Sequence, residues 1–117
     1  MKPSVFQLTA DVSLFREGEL FMSGTQLRLL KQVEKDGSIR TAAMNLKMSY
    51  QYAWHMLERI NRLSPVPVVV RQKGGKDGGG CRITPFGLNL MQAFEKRVND
   101  VCALLSDSDR DFERCFF

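Results

Sequence analysis

The sequence is poor in the residues that build metal and catalytic centres. It has one histidine, His55, and three cysteines in 117 residues. Cys81, Cys102 and Cys115 stand far apart and form no CxxC pair, so the close Cys/His pairs of a structural zinc site are missing. No spacing suggests a nucleophile–base pair or a carboxylate dyad, which argues against an enzyme. No apolar run approaches the roughly 18 residues that a membrane span needs. The segment Met1 to Ala10 holds one Lys and no continuous apolar stretch, unlike a secretion signal. The expectation is a cytoplasmic chain with reduced thiols, no metal, no cofactor and no membrane partner. Internal repeats are also absent.

What is present fits one globular domain over residues 1–117. Chains of about 100–200 residues form single domains, and this one is long enough to bury a core without staples. The net charge is +4, but its distribution matters more. Residues 1–37 hold five bases and five acids, and residues 85–117 hold four bases and six acids. Residues 38–84 hold eight bases (Arg40, Lys47, Arg59, Arg62, Arg71, Lys73, Lys76, Arg82) against only Glu58 and Asp77. A solubilising surface mixes signs, whereas a basic middle between neutral and acidic flanks suits a polyanion.

The apolar pattern divides the chain into four stretches. In residues 1–23, apolar groups flank Arg16-Glu17-Gly18, which predicts a short hairpin or one bent strand. Residues 24–84 form the core of the reading. Leu27, Leu29, Leu30 and Val33 recur at helical spacing from Thr25 to Asp36, with Ser23 or Thr25 as cap and Gly37 as stop. Ser38 caps a short second helix with Ile39, Ala42, Ala43 and Leu46 on its apolar face. Asn45 to Met48 make a tight turn, and Ser49 caps a third helix running to about Leu63. Two helices joined so briefly across small residues are a helix-turn-helix signature. On a helical wheel Tyr50, Ala53, Trp54, Leu57, Ile60 and Asn61 share the core arc. Gln51, Tyr52, His55, Glu58, Arg59 and Arg62 share the outer one. Pro65 and Pro67 end the helix, Val66 to Val70 read as a strand, and Cys81 to Ile83 as its return. Between them the loop Gly74 to Gly80 carries five glycines.

In residues 85–105, Thr84-Pro85 opens a long helix. Met91, Phe94, Val98, Val101 and Leu105 form a narrow seam along it. Such a seam reads as a dimer interface, with ordinary core as the alternative. The polar tail, residues 106–117, is expected to fray or to dock on a partner. The predicted fold is mainly α with a small β-hairpin wing: a winged helix-turn-helix with a long C-terminal dimerisation helix.

The glycine loop is not a nucleotide cradle. No Ser/Thr follows Lys76, and the loop joins two strands instead of leading into a helix. Its basic flanks suit a wing that neutralises phosphates. Arg40, Thr41, Ser49 and Tyr50 lie where phosphates would be held. Gln51, Tyr52, His55 and Arg59 offer donors to base edges, and Lys73, Lys76 and Arg82 would clamp the flanking backbone. Two rival readings stand beside this one. The first is a protein-interaction module using the long-helix seam and Phe116-Phe117. The second is a thiol-responsive regulator using Cys81, beside Arg82, or Cys115.

The run Asp36-Gly37-Ser38-Ile39, Ala42-Ala43, Leu46, Met48-Ser49-Tyr50, Ala53-Trp54, Asn61, Arg71, Gly74-Gly75-Lys76, Gly78-Gly79-Gly80, Arg82, Thr84-Pro85 and Gly87 carries a resemblance. Over about residues 20–105 the chain resembles the N-terminal DNA-binding domain of ModE-type molybdate-responsive transcription regulators of bacteria. LysR-type regulators share only the first part of the pattern. The resemblance implies a homodimer that reads a palindromic operator in double-stranded DNA and regulates transcription, with a link to molybdate metabolism. The recognition helix would start at Ser49, the glycine loop would be the wing, and the helix after Pro85 would help form the dimer. Met44 stands where the family often has Lys. Nothing in the chain resembles the family's oxyanion site, so molybdate sensing does not carry over and the effector stays open.

Overall fold

The structure is a computed structural model, and it describes residues 5–72, 80–106 and 108–116. It opens with a hairpin of β1 (Leu14–Arg16) and β2 (Glu19–Met22). Glu17 and Gly18 connect the strands with φ of 52° and 81°. Both signs match the primed two-residue turns whose twist suits a hairpin. Of the two expectations for this region, the hairpin is the one that forms. β2 turns Phe21 and Met22 into the core, while Leu14 and Phe15 remain exposed.

Three helices follow: α1 (Gly24–Asp36), α2 (Ile39–Asn45) and α3 (Tyr50–Leu63). Each boundary has a local cause. The Ser23 N–H donates to the Gln26 side chain at 3.1 Å, closing the first turn of α1. Gly37, at φ 67°, ends α1 and donates its N–H to the Val33 carbonyl at 2.8 Å. The Ser38 hydroxyl accepts from the Thr41 N–H at 3.2 Å, and the Ser49 hydroxyl from the Tyr52 N–H at 3.1 Å. Between α2 and α3 the chain turns at Lys47, which holds φ 58°. That conformation is costly for a residue with a Cβ. The Met48 N–H offsets it by donating to the Ala43 carbonyl at 3.0 Å.

The second hairpin pairs β3 (Val69–Arg71) with β4 (Cys81–Ile83) in antiparallel register, Val70 opposite Arg82. β4 also pairs with the turn between α1 and α2. Its Cys81 N–H donates to the Gly37 carbonyl at 3.0 Å, and Ser38 bridges Gly80. The hairpin is therefore fastened to the helix-turn-helix through a third extended segment. The predicted strand from Val66 is too long at its start. Val66 and Pro67 are exposed, and side chains take up the next backbone groups. Asn61 Oδ1 accepts from the N–H groups of Val68 and Val69 at 2.8 and 3.1 Å, and Asn61 Nδ2 donates to the Val69 carbonyl at 2.9 Å. Thr84 Oγ1 donates to the Pro67 carbonyl at 2.8 Å.

α4 (Pro85–Leu105) starts at a Thr84 cap that accepts from the Gly87 N–H at 3.0 Å. Gly87 is needed here for close approach. A Cβ on it would sit 2.7 Å from both Ile83 Cγ2 and the Val68 carbonyl oxygen. The core gathers Met22, Leu29, Leu30, Val33, Ala42, Ala43, Ala53, Leu57, Ile60 and Val68 from four directions around α1. The tail, expected to fray or to dock on a partner, is helical and meets the chain's own N-terminal segment. Residues Asp109–Phe116 form α5, and Phe6 stacks on Phe116 at 5.2 Å and meets Phe112 at 6.4 Å. These contacts, between residues about a hundred positions apart, cannot be seen in local sequence. No helix among the described residues is long and apolar enough to cross a membrane.

Candidate nucleic-acid interface

α3 buries one side in the core and presents the other to solvent. Ala53, Met56, Leu57, Ile60 and Leu63 face inward. Gln51, Tyr52, His55, Glu58, Arg59 and Arg62 are all exposed, as the wheel placed them. The inner face differs from the wheel at several residues. Met56 and Leu63 are buried, Tyr50 is 38% exposed, and Trp54 is only half-buried. The reason is that the core lies off-centre beneath α3, toward β2 and α2, so the arc turns toward Met56 and Leu63.

The exposed face has graded polarity. Ser49 caps its start, which leaves the first N–H groups of α3 pointing outward from a helix end that favours anions. Gln51, Tyr52 and His55 follow. His55, Glu58, Arg59, Asn61 and Arg62 line a shallow hollow farther along. Arg62 is committed within the protein: its two Nη atoms donate to Glu19 of β2 at 3.1 and 3.2 Å. That fork holds the Glu19 carboxyl below the usual carboxylate range and the Arg62 guanidinium above its ordinary value. Arg59 and His55 have no such carboxylate partner among the described residues.

The other sequence candidates fall around this face. Arg40 and Thr41 are exposed in the first turn of α2, and the Arg40 guanidinium lies 4.9 Å from the centre of the Tyr50 ring. Arg82 is exposed on β4, on the side opposite buried Cys81 and Ile83. Lys73 and Lys76 lie outside the described residues. Arg71 was legible as a base at the foot of the wing, but not as a neighbour of α3. Its guanidinium lies 5.9 Å from the centre of the Trp54 ring. No local sequence signal gives that pairing, because it needs the register of β3 against α3.

Two expectations are corrected. Cys81 is 2% exposed, and burial pushes its thiol above the ordinary value, more than the nearby Arg71 charge lowers it. A buried, protonated thiol is a poor redox switch, so the neighbouring Arg82 does not activate it. The long-helix seam is divided. Met91 and Phe94, at 5% exposure each, are buried in the chain's own core. Val98 packs at the edge of that core, and Val101 and Leu105 are half-buried beyond it. Leu105 and Cys102 line a hollow with residues 7–10, so the N-terminal segment already covers part of this end.

No family profile matches the chain. The chain is 43% identical over 76 residues to the transcriptional regulator ModE of Haemophilus influenzae, covering 65% of this chain and 30% of that protein. It is 38% identical over 85 residues to the molybdenum transport protein ModE of Azotobacter vinelandii, covering 73% and 32% respectively. To the DNA-binding transcriptional dual regulator ModE of Escherichia coli it is 34% identical over 84 residues, covering 72% and 32%. The chain thus spans about a third of the length of the curated relatives it matches. Among solved structures, ArgP from Mycobacterium tuberculosis matches with a TM-score of 0.51 over 77% of this chain and 30% of that one. At 22% identity that likeness shows a shared fold alone. Sequence and architecture together make this chain a ModE-like winged helix-turn-helix domain.

Proposed function

We propose that the chain binds double-stranded DNA in the cytoplasm as a homodimeric transcription regulator. The observation that carries this reading is the outer face of α3. Gln51, Tyr52, His55 and Arg59 are exposed together on a capped helix, inside a region with eight bases and two acids. A helix of this width enters the major groove, where Gln favours adenine and Arg favours guanine. Arg40, Thr41, Ser49 and Tyr50 sit at its N-terminal end and suit phosphate contacts. Arg82, with Lys73 and Lys76 of the wing, would grip the flanking backbone. The relatives named as DNA-binding or transcriptional regulators favour this reading over an interaction module.

The dimer would use what the core leaves of the α4 seam: Val98, Val101 and Leu105. Met91 and Phe94 would support it from inside. Two copies related by a two-fold axis would read a palindrome with half-sites roughly 10 base pairs apart, or a multiple of that.

Selection of binding sites from a random duplex library, followed by titration at several salt concentrations, tests both parts. The expected result is a palindrome bound with an affinity that falls linearly in log–log form as salt rises. Gln51→Ala and Arg59→Ala should each cost about 1–3 kcal/mol and relax specificity at one base position. Absence of salt-dependent duplex binding would overturn the reading. Normal binding by both variants would overturn the recognition-helix assignment.

A further inference from the structure

Five of the described bases are held in one of two ways. Lys31 pairs with Glu95, Arg62 with Glu19 and Arg97 with Asp100. Arg40 and Arg71 have aromatic rings instead, Tyr50 at 4.9 Å and Trp54 at 5.9 Å. Tyr50 and Trp54 are four residues apart on α3, so they follow one another along one side of that helix. One arginine comes from α2 and the other from β3, and both lie on the recognition helix. Neither has a carboxylate partner among the described residues.

This arrangement has a chemical consequence. A guanidinium engages a ring through its face, while its N–H donors lie in its plane and point out at the edge. Such a cation–π contact restrains the group and leaves N–H donors available for a bidentate acceptor. A phosphate oxygen pair fits those donors. Fixing the side chain beforehand also lowers the ordering cost on binding. Trp54 is a firm platform, because it is half-buried and packs against the core. Arg71 and Trp54 share a small hollow with Glu58, Asn61 and Val69. Asn61 in turn fixes β3 through its bonds to Val68 and Val69, so both halves of the stack rest on one rigid frame.

We infer that Arg71 is a further DNA-contacting residue, held by Trp54 so that it grips a backbone phosphate between the recognition helix and the wing. Trp54 is its positioning residue, as Tyr50 is for Arg40. This inference rests on the duplex-binding reading and adds to it a residue that couples the wing to α3.

The test uses the full chain and a selected duplex, or mixed-sequence duplex at low salt. Arg71→Ala should weaken binding about tenfold to every sequence and lower the salt slope by about one unit. Arg71→Lys should retain the slope but bind several-fold more weakly, since an ammonium has no planar fork. Trp54→Phe should weaken wild-type binding, yet have little effect once Arg71 is Ala, a non-additivity expected of coupled residues. The chain has one tryptophan, so its emission in the free Arg71→Ala protein reports directly on loss of the stack. A melting curve for each variant separates weak binding from poor folding. Lys31→Ala, on α1 and paired with Glu95, is the control and should bind normally. Wild-type affinity and slope in Arg71→Ala would overturn the inference while leaving the duplex reading intact. Additive losses from Trp54→Phe and Arg71→Ala would overturn the positioning role. Failure of the wild-type chain to bind any duplex would instead remove the reading beneath both.

Discussion

Over its 14 residues α3 buries Ala53, Met56, Leu57, Ile60 and Leu63; over its 21 residues α4 buries only Gly87, Met91 and Phe94. Both helices carry apolar side chains at spacings of three and four. On α3 they meet α1, α2 and β2, so the helix is fixed along its length and its opposite face is free for a ligand. On α4 only the stretch up to Val98 meets the core. Beyond Val98 the seam is half-covered, and Leu104 is 82% exposed. Apolar spacing therefore gives the face of a helix but not what covers it. α3 is held along its length by its own domain, and α4 is an arm whose outer half is available to another surface.

The largest effect should separate the two helices by the same substitution. Leu57→Ala removes a side chain 3% exposed in the core and should cost about 2–5 kcal/mol. Leu105→Ala, at the half-buried end of α4, should cost less than about 1 kcal/mol in dilute solution. Denaturant unfolding at two protein concentrations measures both. If α4 is the dimer arm, the Leu105→Ala cost should grow with concentration, because association adds stability only where the interface forms. Equal costs for the two leucines at low concentration would break the comparison.

Gly87→Ala tests the firm half of α4. An added methyl would press on the Val68 carbonyl and Ile83 at 2.7 Å, and the backbone atom cannot rotate away. The expected loss is about 1–3 kcal/mol, read as a lowered melting temperature. This sign is opposite to the gain that helix propensity alone would give on replacing glycine by alanine. A stabilised Gly87→Ala would mean that α4 is loosely seated from its first turn.

These contrasts also show what a sequence can and cannot carry. The helix ends at Ser23, Gly37, Ser38, Ser49 and Thr84-Pro85 were legible because each is set by a cap within a few residues of itself. The outer face of α3 was legible because a polar arc of six residues is periodic. The start of β3, the half-burial of Trp54 and the helix at Asp109 were not. Each depends on contacts outside its own segment: Asn61 and Thr84 for β3, the placement of the core beneath α3 for Trp54, and Phe6 for α5. Cys81 shows the same limit in reverse. Its neighbour in sequence is Arg82, but its neighbours in space are the buried core, and those set its chemistry.

The smallest effect lies where α3 meets the first hairpin. Arg62 would be a candidate for the DNA-facing set by exposure, yet its two Nη atoms are on Glu19. Because the Arg62 fork lowers the Glu19 carboxyl, this pair contributes stability that is fully present above the ordinary carboxylate range. The contribution is lost as pH falls through the lower folded value. Glu19→Gln should therefore flatten a small acid-side decline in melting temperature and leave the neutral-pH value almost unchanged, since both partners are open to solvent and screened. The same variant releases Arg62 beside Arg59. If the released guanidinium can reach a phosphate, Glu19→Gln should bind duplex DNA more tightly and with a steeper salt slope than the wild type. Unchanged binding would place Arg62 beyond the footprint of α3, and would mark the Glu19 pair as the boundary between the reading face and the rest of the domain.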